Sequence, residues 1–216
     1  MNDIGGTDVD VHPPHGSINS LQGFLVHLLT ITIGLFIALT LEAAVESMHH
    51  RHLVRDARAN LRREIESNHM LYADNVQSLQ RNRLQLAHDL EQLRELRDGK
   101  KLISPDLKWA WAWSSYSDAA WKSARDIGAI AYMDPDTIAG YALVYGQQDY
   151  VNETMIALIR EEARASAPLD VAVDPARLIP PETEALLLRT AEIDQSLRSL
   201  QETMKSLDDF YQRALK

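Results

Sequence analysis

The chain of 216 residues contains no cysteine, and this excludes disulfides, thiolate catalysis and zinc–thiolate sites. Aromatic residues make up only 6% and glycines number nine, a composition that favours helices over a strand-rich fold. The net charge is -9, which opposes binding to nucleic acid. No Gly-rich phosphate loop, H-E-x-x-H or G-x-S-x-G motif occurs. We therefore expect neither an enzyme nor a resident cofactor.

Lysine and arginine are missing before Arg51, although Asp3, Asp8 and Asp10 are present there. A secretory signal needs a positively charged start, so the sequence argues against a cleaved signal peptide. The stretch 24–41, FLVHLLTITIGLFIALTL, has no formal charge. A bilayer core takes about 20 such residues, and we predict one transmembrane helix over 21–45 after a flexible extracytoplasmic tail, 1–20.

Arginines follow this stretch on its C-terminal side alone, at 51, 55, 58, 62 and 63. Basic residues close to a span tend to stay in the cytoplasm. The asymmetry predicts a single-pass protein of the inner membrane whose C-terminal part is cytoplasmic.

Small and polar residues share one face of the predicted span, whereas bulky apolar residues cover the others. Small residues allow transmembrane helices to approach closely, and polar ones can hydrogen-bond across the contact. We predict a packing face for another transmembrane helix, formed by Gly23, His27, Thr30, Gly34, Ala38 and Glu42.

Histidines cluster directly after the span in ESMHHRH, where Glu46 and His49 have a Glu-x-x-His spacing. Helical di-iron sites use this spacing, but they need a second such pair, and the sequence has none. Histidine and arginine tips are also expected at headgroups, while their stems lie along apolar surface. We therefore predict a membrane-interface group without metal: His49, His50, Arg51, His52 and Arg55.

Proline and glycine are absent between Leu35 and Arg97, so we predict that the span continues into a long membrane-proximal helix over 46–98, ended by Gly99. Steps of four and three from Ile65 give a mostly apolar stripe at 65, 69, 72, 76, 79, 83, 86, 90, 93 and 97. A cleaner stripe occurs in the predicted C-terminal helix, 182–216, at 186, 190, 193, 197, 200, 204, 207, 211 and 214. Two matching stripes favour an intramolecular antiparallel pair, and dimerisation with a second copy is the alternative.

The middle region, 99–166, is predicted to be helical and rich in tryptophan, with a helix starting at the Asp134–Pro135 cap and running to about Ala165. A Pro-rich loop is predicted over 167–181.

All four tryptophans lie within thirteen residues, and we predict a short helix through them. The cluster is a candidate bundle core, partner surface or hydrophobic cofactor pocket: Trp109, Trp111, Trp113 and Trp121.

Three stretches, HLLTITIGLFIALTLEAAVESMHHRHLVRDARANLRREIESN, AAWKSARDIGAIAYM and YALVYGQQ, resemble a group of uncharacterised bacterial single-span membrane proteins. The resemblance implies a helical soluble part behind one span, and it carries no residue roles.

The sequence thus predicts an all-α protein with one N-terminal transmembrane helix that continues into an antiparallel, coiled-coil-like bundle. We expect an accessory or scaffold subunit that docks on an integral membrane complex in the bilayer. The alternative is a single-span sensory protein whose bundle binds a small ligand.

Overall fold

The computed structural model describes residues 21–102, 107, 111–172 and 174–216. The predicted tail, 1–20, and Trp109 lie outside the described residues. Four α-helices occur in the part described: α1 Leu21–Arg97, α2 Ala119–Asp126, α3 Pro135–Ala172 and α4 Pro180–Ala214, with single 3-10 turns at Ala129–Tyr132 and Pro175–Arg177. The chain divides into two compact units, 1–50 and 51–216, each taken by itself below.

The helix ends follow from local chemistry: α1 ends before Gly99 and α3 starts at the Asp134–Pro135 pair, as expected, whereas α4 begins at Pro180 rather than at 182. Gly99 adopts φ +75° after α1, and its N–H bonds to the Leu96 carbonyl at 3.1 Å. Asp134 caps α3 by accepting from Thr137 N at 3.0 Å, with Pro135 in the first turn. Glu182 reaches back to Ile179 N at 3.0 Å where α4 begins.

In unit 51–216 the two long helices α1 and α4 run in opposite directions. Arg62 Nη2 donates to the Leu215 carbonyl at 3.0 Å, and His69 Nε2 lies 2.9 Å from Asp208 Oδ1. Further along α1, Arg83 Nη1 donates to Gln201 Oε1 at 2.5 Å. Since partner numbers fall on α4 as they rise on α1, the helices are antiparallel there.

The predicted stripe of α4 is its inner face. Eight of the nine positions are buried, from Leu186 to Tyr211, and Ala214 is half-buried. Leu197, Leu200 and Leu207 are at most 1% exposed, and burial of each such side chain contributes about 1.5–3 kcal/mol. This stripe forms most of the α4 side of the main core.

Two predictions about the middle region are wrong. The segment 111–118 is not helical, and α2 begins only at Ala119, so Trp111 and Trp113 precede a helix. Helix α3 continues past Ala165, through Pro168, to Ala172, so the predicted loop is largely helical at its start. Proline removes one helical hydrogen bond, but Leu169 just beyond it packs against a second cluster of buried leucines, which favours continuing the helix.

Candidate functional site

The inner face of α1 has a polar half that the predicted stripe does not contain. Besides the apolar series Ile65, Tyr72, Leu79, Leu86 and Leu93, a second series at seven-residue spacing is buried: Leu61, Asn68, Asn75, Asn82 and Asp89. The last four are 3%, 2%, 8% and 0% exposed. Buried amides and carboxylates must find partners or cost free energy.

Asn68 and Asn75 each bind both main-chain groups of one serine. Asn68 Nδ2 donates to the Ser117 carbonyl at 2.7 Å, and its Oδ1 accepts from Ser117 N at 3.0 Å. Asn75 does the same with Ser114, at 2.8 Å and 3.2 Å. A side-chain amide thus offers the donor and acceptor that a neighbouring strand would offer.

A third asparagine binds the same segment from α3. Asn152 Oδ1 accepts from Tyr116 N, and its Nδ2 donates to the Tyr116 carbonyl, both at 3.1 Å. The segment 111–118, called the strap from here on, is therefore held between two helices. Its main chain takes no part in a helix or a sheet, and side-chain amides replace those ladders.

The spacing of the asparagines matches the length of the strap. Seven helical residues rise about 10.5 Å. Three residues of extended chain span roughly 9–10 Å, and Asn68 and Asn75 bind serines three residues apart. By the same spacing, Asn82 would be expected to meet the strap at Trp111. Asn82 Nδ2 is nevertheless buried without a hydrogen-bond partner among the described residues.

Glu64 joins the strap to the start of α2. Its carboxylate accepts from Ser117 Oγ at 2.7 Å, from Ala120 N at 3.0 and 3.1 Å, and from Tyr145 Oη at 2.9 Å. A carboxylate beside the first N–H groups of a helix is stabilised by the helix dipole. Burial, together with the hydrogen bond to Glu64, raises the pKa of Tyr145, so its hydroxyl remains a donor.

An aromatic cluster lies under the strap. Tyr116, 5% exposed, meets Tyr211 edge-on at 6.3 Å, and Trp113 meets Tyr116 edge-on at 5.9 Å. Gln148 Nε2 donates to Tyr211 Oη at 3.0 Å. Burial is the main cause that raises the pKa of both Tyr116 and Tyr211.

The tryptophans predicted as a cluster lie at different places. Trp111 and Trp113 are half-buried in the strap and pack against the core, while Trp121 stacks on Tyr145 with ring centroids 5.4 Å apart. This packing agrees with the predicted role in a core; a role towards a partner or cofactor stays a prediction.

The predicted packing face lies in unit 1–50, and all six of its residues are exposed. A Cβ built on Gly34 meets nothing within 4 Å. Thr30 donates its hydroxyl to the Val26 carbonyl at 2.9 Å, four residues back in its own helix. That this face packs against another transmembrane helix stays a prediction.

The predicted membrane-interface residues are exposed except His50, which is half-buried. His50 Nε2 lies 3.9 Å from Glu46 Oε1, and Arg55 Nε donates to Asp56 Oδ1 at 3.2 Å. Among the described residues, no group of three or more histidine or carboxylate side chains is placed to hold a metal ion.

Sequence reasoning missed three buried asparagines of α1, although a signal was present. Asn68, Asn75 and Asn82 repeat at seven residues, and the same spacing leads back to Leu61 and on to Asp89. Residues seven apart share one face of a helix, so this series is expected on the face of the apolar Leu61. Nothing local indicates Asn152, which is brought to the strap by the fold.

The site as a whole binds main chain and positions aromatic side chains. The Glu64 carboxylate is occupied by four donor contacts, and the asparagine amides are neutral. Comparison with models of protein families, with curated proteins and with solved structures finds no match for this chain.

Proposed function

We propose that the protein is a membrane-anchored accessory or scaffold subunit, which docks onto an integral membrane complex through its span and its helical unit. The observation that carries the proposal is the apolar start of α1. None of its most apolar 18-residue window is buried within the protein. These apolar side chains are therefore stable only in a non-aqueous environment.

The chemistry of this window supports a bilayer as that surrounding. Thr30, Thr32 and Thr40 all donate their hydroxyls to carbonyls of their own helix, at 2.8–2.9 Å. A hydroxyl satisfied in this way can face lipid without losing a hydrogen bond. Gly34 and Ala38 leave room beside the backbone for the close approach of a partner helix.

The helical unit offers a second surface. Leu143 and Tyr150 are each 56% exposed, and with Gly146 between them they occupy one face of α3. Exposed apolar and aromatic residues that share a helix face are frequent at protein interfaces. The antiparallel helices and the clamped strap would keep this face in one conformation.

The first test purifies the full chain from its native membrane in mild detergent and identifies what co-purifies. Gly34→Leu fills the predicted packing face, and we expect it to reduce recovery of the partner at least tenfold while insertion continues. Thr32→Leu places the same leucine side chain about 200° around the helix from Gly34 and serves as the control.

The outcomes distinguish a docking subunit from a sensory protein that binds a small ligand. A stoichiometric membrane protein that is lost with Gly34→Leu and kept with Thr32→Leu supports docking through this face. Equal recovery with both variants contradicts the face, and a chain that purifies alone together with a metabolite favours the sensory function.

The second test concerns orientation, for which we propose a cytoplasmic C-terminal unit. The asymmetry of the arginines, none before Arg51 and five by Arg63, is the basis. Protease added outside intact cells should leave the unit whole, and protease added after the membrane is opened should digest it. Digestion in intact cells would reverse the orientation.

A further inference from the structure

A cleft of about 390 Å³ lies between α1 and α4, away from the strap. Gln80, Arg83, Leu84 and Ala87 line it from α1, and Asp194 and Arg198 line it from α4. Its lining is mostly apolar, and Leu84 is 74% exposed beside it. The volume falls in the range of small-molecule sites, roughly 300–1,000 Å³.

The charged groups of the cleft are held by a buried carboxylate. Asp194, with a side chain 7% exposed, accepts from both Nε and Nη2 of Arg198 through Oδ2. Its Oδ1 lies 3.5 Å from Arg83 Nε. Two guanidinium groups thus share one carboxylate, and the cluster carries a net charge of +1.

Both guanidinium groups retain donors. Arg83 Nη1 donates a hydrogen bond to Gln201 Oε1. Arg83 Nε is buried and has no well-formed hydrogen bond within the described residues. Among the hydrogen bonds of the described residues, none uses Arg83 Nη2 or Arg198 Nη1. A half-buried arginine such as Arg83 with donors still available gains from an anionic acceptor, because hydrogen bonds to a charged acceptor are stronger than neutral ones.

We propose that this cleft binds a small amphipathic monocarboxylate, whose carboxylate contacts Arg83 and Arg198 and whose apolar body lies along Leu84 and Ala87. A single positive charge suits one carboxylate better than a phosphate dianion. The mostly apolar wall selects against small hydrophilic anions. The site does not depend on the docking role, since all its residues belong to unit 51–216.

The test uses the full chain in phosphatidylcholine nanodiscs, with octanoate as the probe and calorimetry and carboxyl-¹³C NMR as the readouts. Empty nanodiscs give the background from partition into lipid. Acetate has the carboxylate charge without the long apolar chain, and octylammonium has the apolar chain with a positive charge. We expect octanoate to bind at least tenfold more tightly than either.

Variants locate the binding. Arg198→Gln, at a side chain 57% exposed, should weaken octanoate about tenfold, and Leu84→Ser should weaken it several-fold. Arg189→Gln is the matched control, because Arg189 is an exposed arginine of the same helix that lines a different cleft. No binding above the empty-nanodisc background, or equal binding by all three variants, would overturn the proposal.

Discussion

Helix α4 and the part of α1 within unit 51–216 both present heptad-spaced inner faces, but the two faces differ in chemistry. Eight of the eleven buried residues of α4 are apolar, and its buried leucines pack against other helices. In α1, asparagine and aspartate fill four of the twelve buried positions. Apolar packing is non-directional, whereas each buried amide requires a particular donor and acceptor. The polar half therefore specifies which segment lies against it, and that segment is the strap.

Alkali is expected to have the largest effect on this arrangement, because it charges the tyrosines where the two faces meet. Burial raises the pKa of Tyr116, Tyr145 and Tyr211 above the ordinary value near 10. A raised folded-state pKa gives stability that is complete below pH 10 and is lost as pH rises from there toward the folded-state pKa values.

The three tyrosines together should lower the free energy of unfolding by about 3 kcal/mol between pH 10 and 11, and by about 1.4 kcal/mol per group for each further pH unit below the folded-state pKa values. Denaturant titrations followed by far-ultraviolet circular dichroism would measure it. Tyr145→Phe should flatten the decline, while Tyr150→Phe, at a side chain 56% exposed, should leave it unchanged. A stability independent of pH in this window would contradict the buried tyrosine cluster.

A truncation on the apolar face comes next. Leu197→Ala removes a side chain that is 0% exposed, and we expect it to cost about 3 kcal/mol through lost burial and a cavity. Leu188→Ala on the same helix, where the leucine is 60% exposed, should cost well under 1 kcal/mol. Equal losses for both would mean that this face of α4 is not the core.

The smallest effects compare two asparagines of the same series. Asn75→Leu leaves Ser114 N–H and C=O without partners and should cost about 2 kcal/mol. Asn82→Leu removes a buried Nδ2 that has no partner among the described residues, so the free energy of unfolding should stay within about 1 kcal/mol or rise. A large loss for Asn82→Leu would show that its amide is satisfied in solution.

Much of this architecture could be predicted from local patterns. The α4 stripe, the end of α1 at Gly99 and the starts of α3 and α4 depend on residues that are neighbours in sequence. The apolar window at the start of α1 is likewise visible by composition, and whether it crosses a membrane is still a prediction.

The strap shows what the sequence alone did not decide. Its sequence, WAWSSYSD, fits a helix, a strand or neither, because the local energies differ little. Partners 39 and 49 residues away on α1, and 36 residues away on α3, settle the conformation by supplying paired donors and acceptors. The sequence by itself determined the long helices α1 and α4, the start of α3 and the apolar stripe of α4, since those depend on spacing along one chain segment. Only the tertiary structure decided what lies against the buried asparagines, because a hydrogen bond requires two groups that folding alone brings together.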